Sequence, residues 1–152
     1  MPQWQVLRDH AFTQGLADAQ IDRLAGMVRQ VAFEDNEVVL EDGIRSTSFF
    51  LLLTGSVVVE LRTPQFAMRV QALGPGSVFG WSALLDDHET LFQVRARERS
   101  TALQIEGATL KEYCMADPAL GAELFHRILR VVAGRVKATE ICFAEMCGVK
   151  VY

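Results

Sequence analysis

Residues 74–91 read Gly-Pro-Gly-Ser-Val-Phe-Gly-Trp-Ser-Ala-Leu-Leu-Asp-Asp-His-Glu-Thr-Leu and hold the clearest chemical potential in the chain. Gly74, Pro75 and Gly76 are turn formers, because glycine permits positive φ and proline presets a turn. After Phe79 and Gly80, residues 81–85 are long enough for about one and a half helical turns. A glycine just before a helix start lets a ligand approach exposed backbone N–H groups. Those groups, with the positive end of the helix dipole, suit a phosphate. The same residues also make an ordinary turn and connecting helix between strands, and the local pattern leaves both readings open.

Two further residues could do chemistry from a distance. Arg135 interrupts an apolar stripe, and a long cation facing a protein layer wants an anion, from a ligand or a carboxylate. Snorkelling to solvent is the ordinary alternative. Thr139, one turn on, can reach a ligand or a second chain, or bond back to its own helix.

Catalytic and metal chemistry fit poorly. His10, His88 and His126 fall in separate elements, and no pair has metal-ligand spacing. Asp86-Asp87, Glu34-Asp35 and His88 read as solvated turn residues. Neither a Gly-x-Ser-x-Gly elbow nor a Cys/His arrangement is present. The expectation is no enzyme and no metal.

The elements that must position these residues follow from periodicity. Trp4, Leu7 and Phe12, scattered apolar residues before Gly15, mark a short lid or a helical arm. Asp18 can cap a helix running to Val28, with Ile21, Leu24, Ala25 and Val28 at helical spacing. Short strands separated by turn residues then follow: Val31 and Phe33, Val38 and Leu40, residues 49–53, 56–62, 67–73, 92–97 and 101–105. In residues 67–73, Met68, Val70 and Ala72 alternate with Arg69 and Gln71. If Phe92, Val94 and Ala96 face inward, Arg95 and Arg97 face outward. Regular short strands of this kind predict a β-roll or jelly roll.

The C-terminal part is helical. Residues 108–114 form a short helix, and Asp117-Pro118 is a strong start signal for one running to about Cys147. Phe125, Leu129, Val132, Val136, Thr139, Phe143 and Met146 step by four and three, a heptad seam. Leu124, Ile128, Val131, Ala138 and Cys142 form an adjoining stripe. One stripe can pack on the roll and the other on a second copy, which predicts a parallel homodimer. A single broad arc packed on its own domain is the alternative.

With 152 residues, half of them hydrophobic, the chain can bury one sizeable core. A net charge of −4 argues against a DNA-binding surface. No apolar run approaches a membrane span, and the N-terminus lacks signal-peptide blocks. Three cysteines without a CxxC pair fit a reduced, cytoplasmic protein. The expected organisation is one unit over 1–152: a helical arm over 1–30, a roll over 31–106 and helices over 107–148. The short stretch after the long helix leaves no expectation of a helix-turn-helix.

In this order of elements the chain resembles the cyclic nucleotide-binding domain family, the sensor half of catabolite-activator-type regulators. Gly43 stands at an acidic-Gly turn. Residues 50–57, Phe-Leu-Leu-Leu-Thr-Gly-Ser-Val, resemble the family's apolar strand and hairpin. Residues 74–80 resemble the loop into its phosphate-binding cassette, Leu84-Leu85-Asp86-Asp87 the cassette's helix end, and Val94-Arg95-Ala96 the strand after it. The resemblance covers roughly residues 12–147. It implies a mainly β fold with flanking helices: β-roll, N-terminal helix, short cassette helix and long C-terminal helix. It also implies cyclic AMP or cyclic GMP as a ligand, with no other cofactor.

The departures bear on that ligand. Where such cassettes follow Phe-Gly with a ribose-binding Glu, this chain has Trp81. Where they carry an Arg-small-Ala triplet for the cyclic phosphate, it has Thr90, Leu91 and Phe92. Two lost charge-assisted contacts of about 1.5–3 kcal/mol each would weaken binding by roughly two to four decades. The N–H groups near Phe79, Gly80, Trp81, Ser82 and Ala83, the Ser82 hydroxyl, and Arg135 and Thr139 at base-side positions of the family's long helix are the candidate replacements. Trp81 either stacks on a planar ligand in the ribose space or plugs an emptied pocket. Two functions follow: a sensor of a cyclic nucleotide or another small anionic ligand, or a ligand-free dimerisation module. An effector protein is a further possible partner.

Overall fold

The computed structural model describes residues 2–85 and 89–151, and the readings of Asp86, Asp87 and His88 lie outside them. The roll is built from two antiparallel four-stranded sheets. One has the order β1-β8-β3-β6, from β1 (Val28–Phe33), β8 (Ser100–Glu106), β3 (Ser48–Thr54) and β6 (Val78–Phe79). The other has the order β2-β7-β4-β5, from β2 (Val38–Leu40), β7 (Phe92–Ala96), β4 (Val57–Arg62) and β5 (Ala67–Leu73).

The apolar run in β3 has a simple cause. It lies between β8 and β6 and is buried on both faces. Phe50 and Leu52 join Val57, Val59, Phe79, Val94 and Ala96 inside the roll. Phe49 and Leu51 point the other way, into a second core with Leu7, Ile21, Leu24, Leu110, Leu120, Leu124 and Ile128. That second core binds four helices to the sheet: α1 (Gln3–Asp9), α2 (Asp18–Ala25), α3 (Gly107–Ala116) and α4 (Pro118–Met146).

The fold is the one expected, with shifted boundaries. Gly26 closes α2, so Val28 opens β1 and the roll begins there rather than at residue 31. Asp18 is not the cap. Ala17 holds that place, and Gln20 Oε1 accepts from its N–H at 3.0 Å. Asp18 instead pairs with Arg8 at 3.1 Å. The cassette helix is a single 3-10 turn, Trp81–Leu84. Asp117 does cap α4: its Oδ1 accepts from the Leu120 N–H.

β5 departs from simple alternation. Val59 opposes Gln71 while Glu60 opposes Arg69, so Val70 is a bulge residue. The bulge shifts the phase of the strand. Gln71 and Leu73 take the face of Val57 and Val59, and Ala72 is exposed.

Candidate functional site

The candidate site starts from a fixed strand end. Phe79 is fully buried and stacks on Phe50 at 5.0 Å between centroids, so it anchors β6 rather than facing a ligand. Gly80 follows at φ +84, and a Cβ there would lie 2.5 Å from the Ser48 carbonyl oxygen. Both the left-handed backbone and the close approach therefore require glycine. The chain then enters the 3-10 turn, where the Ala83 N–H donates to the Gly80 carbonyl at 3.0 Å.

Six of the expected residues line one cavity: Gly80, Trp81, Ser82, Thr90, Phe92 and Arg135, joined by Leu40 and Val94. Its volume is about 20 Å3, room for one water. Thr90 is held from both sides. Its Oγ1 accepts from the Phe92 N–H at 3.1 Å, and its carbonyl accepts from the Gly43 N–H at 2.8 Å.

Arg135 reaches this cavity from α4. Its Nε donates to Gln71 Oε1 on β5 at 2.7 Å. Burial pushes its pKa down to about 10, and no carboxylate pairs with it among the described residues. Gln71 was not expected here, since plain alternation put it on the outer face. Only the bulge turns it inward, and residues 67–73 carry no glycine or proline that would signal one.

The other expected residues lie elsewhere. Leu91 is 75% exposed. Thr139 Oγ1 donates to the Arg135 carbonyl at 2.9 Å, a bond within its own helix. Ala83 packs against Gly107 at the start of α3. Arg95 faces outward and pairs with Glu60 at 2.8 Å, which removes it as a replacement phosphate ligand. Among the described residues no group of His, Cys, Asp and Glu could hold a metal.

Comparison with known proteins places this geometry. The family model for the cyclic nucleotide-binding domain matches residues 30–117. A Rhodopseudomonas palustris protein named as a potassium channel protein is 26% identical over 132 residues, 87% of this chain and 31% of its own length. The chain thus spans about a third of that relative. A Geobacter metallireducens structure named as a cyclic nucleotide-binding protein is 26% identical, with a TM-score of 0.78 over 90% of this chain and 99% of that one. The regulatory subunit of a cAMP-independent protein kinase A from Trypanosoma cruzi, bound to guanosine, shares the fold. Its identity is 19% and its TM-score 0.71, over 95% of this chain and 48% of that one.

Proposed function

Because the chain belongs to the cyclic nucleotide-binding domain family, we propose that it is a regulatory ligand-binding module whose output element is α4. One observation carries this reading. The cassette turn, the start of β7 and Arg135 of α4 meet at a single cavity. A nucleotide-sized ligand needs a few hundred Å3, far more than the present gap. Such a ligand must therefore part Trp81 and Phe92 from Arg135, and that displacement moves α4 against the roll. Ligand energy then biases helix position directly.

The ligand class follows from what is missing. Thr90, Leu91 and Phe92 bring no cation to a cyclic phosphate, whereas Trp81 brings an indole to the cavity wall, itself packed against the core under the helices. The Trypanosoma cruzi relative is bound to guanosine, a nucleoside without a phosphate. Cyclic AMP and cyclic GMP remain candidates through Ser82 and Arg135, and a nucleoside fits the residues at least as well.

The output is a homodimer. Phe125, Leu129, Val136, Phe143 and Met146 are exposed along the heptad seam, while Leu124 and Ile128 of the adjoining stripe are buried in the chain's own core. An apolar face with this spacing is complementary to itself. Cys114, Cys142 and Cys147 are free thiols, which supports a reducing compartment such as the cytoplasm. Among the described residues no helix is long and apolar enough to cross a membrane.

Titration with cyclic AMP, cyclic GMP and guanosine, read by calorimetry and by Trp81 emission in a W4F background, tests the ligand reading. Saturable heat with a change in emission is expected. Neither heat nor emission change with any of the three would favour the second reading, a dimerisation module with a closed pocket, for which the 20 Å3 cavity already speaks.

A further inference from the structure

A second cavity, of about 550 Å3, also bordered by Arg135, lies between the α1–α2 connection, β5–β6 and α4. We propose that this crevice is a separate binding site for a small aromatic anion the size of a nucleoside monophosphate. Its volume falls in the range of small-molecule sites, about 300–1,000 Å3.

The charge balance points to an anion. Among the described residues, four basic side chains line the crevice, His126, Arg127, Arg130 and Arg135, against one acid, Glu123. This excess stands in a chain of net charge −4. Glu123 is already taken: Arg127 Nε donates to its Oε1 at 2.8 Å, and Arg127 Nη1 donates to the Phe12 carbonyl at 2.6 Å. The exposed Arg130 side chain forms no ion pair or hydrogen bond among the described residues. Among the described residues the Arg135 side chain donates to the neutral amide of Gln71 and to no carboxylate. Among the described residues, two guanidinium groups thus border the crevice without a carboxylate partner, Arg130 exposed and Arg135 half-buried.

The rest of the lining points to a flat body. Phe12, Leu73, Val78 and Val131 supply an apolar floor. Gly134 lies between the two arginines in sequence, and a Cβ there would meet nothing within 4 Å. A planar group can therefore lie against bare helix backbone with its anion between Arg130 and Arg135. At about 100° per residue, Leu129, Val136 and Phe143 fall on roughly the opposite side of α4 from Gly134. Pairing through the seam leaves the crevice open.

The test uses the full chain, amide-resolved NMR and adenosine 5′-monophosphate as the probe. The Gly76 and Gly134 amides should shift saturably. Adenosine alone and inorganic phosphate alone should each bind at least about tenfold more weakly, since each lacks half of the contacts. Arg130→Glu should weaken binding by about ten- to a hundredfold. Gly134→Leu should abolish it by filling the crevice, with every charge kept. Shifts confined to Trp81, Ser82 and Thr90 would overturn the crevice site while leaving the roll site intact. Inorganic phosphate binding as tightly as the nucleotide would overturn it too, as would unchanged affinity in both variants. Shifts at Gly76 and Gly134 without any at Ser82 would support the crevice and sink only the roll reading.

Discussion

The two halves of α4 obey different constraints although they are one continuous helix. In the first half, Leu120, Gly121, Leu124 and Ile128 are buried against the sheet and α3. A Cβ on Gly121 would stand 2.3 Å from the Cys114 carbonyl oxygen, so the two helices cross with no spare room. In the second half no residue is fully buried, and Val136, Phe143 and Met146 are exposed. Arg135 sits near the junction and ties the second half to β5 through one hydrogen bond. The first half belongs to the fold, and the second keeps only partly buried contacts with it, through Val132, Arg135 and the Cys142 thiol against the Arg69 and Val70 carbonyls.

The sharpest way to break this contrast is to delete side-chain volume on each side of it. Leu124→Ala empties a site only 1% exposed and should cost about 2–5 kcal/mol in denaturant unfolding. A loss below about 1 kcal/mol would mean that the first half is not anchored as the packing implies.

The arm beneath that first half supplies the next test. His10 Nε2 donates to the Leu52 carbonyl at 2.9 Å, and its Nδ1 accepts from the Phe12 N–H at 3.1 Å. That pattern needs the neutral ring, since a protonated Nδ1 would face another N–H donor. Burial pushes the His10 pKa below its usual value, and the Leu52 bond only partly opposes it. The unfolded chain therefore takes the proton first. Stability should be unaffected by this residue above about pH 6.5 and should fall as pH drops below it, by at most about 1.4 kcal/mol per pH unit. Urea unfolding midpoints of the native chain and of His10→Gln at several pH values measure the difference. Parallel pH curves would remove His10 from the account.

The contrast also marks what periodicity could reveal. The strand positions along the chain, the capped start of α4 and its apolar stripes are legible because burial repeats with the period of the backbone, whereas the pairing order of the strands is not. The cavity was legible in part. Gly80, Trp81, Ser82, Thr90 and Phe92 are close in sequence, and Arg135 betrays itself as a cation in an apolar stripe. Gln71 was not legible, because one bulge at Val70 reverses the faces of β5 with no residue type to announce it. Nor does sequence give volume. Whether Trp81 and Phe92 leave 20 Å3 or several hundred depends on how side chains from distant elements meet. The larger crevice escapes for the same reason, since its walls come from the α1–α2 connection, β5–β6 and α4.

The smallest expected stability change belongs to the far half of the helix and says the most about function. Phe143 is 68% exposed, so Phe143→Ser should alter the unfolding free energy of a dilute monomer by no more than about 0.5 kcal/mol. The same substitution removes one knob from the seam and should shift the monomer–dimer equilibrium toward monomer, read by sedimentation across a concentration series. Pairing it with Val136→Ser should abolish the dimer at micromolar concentration. Loss of monomer stability with no change in association would mean that this face packs on its own chain. The contrast between the two halves of α4 would then disappear.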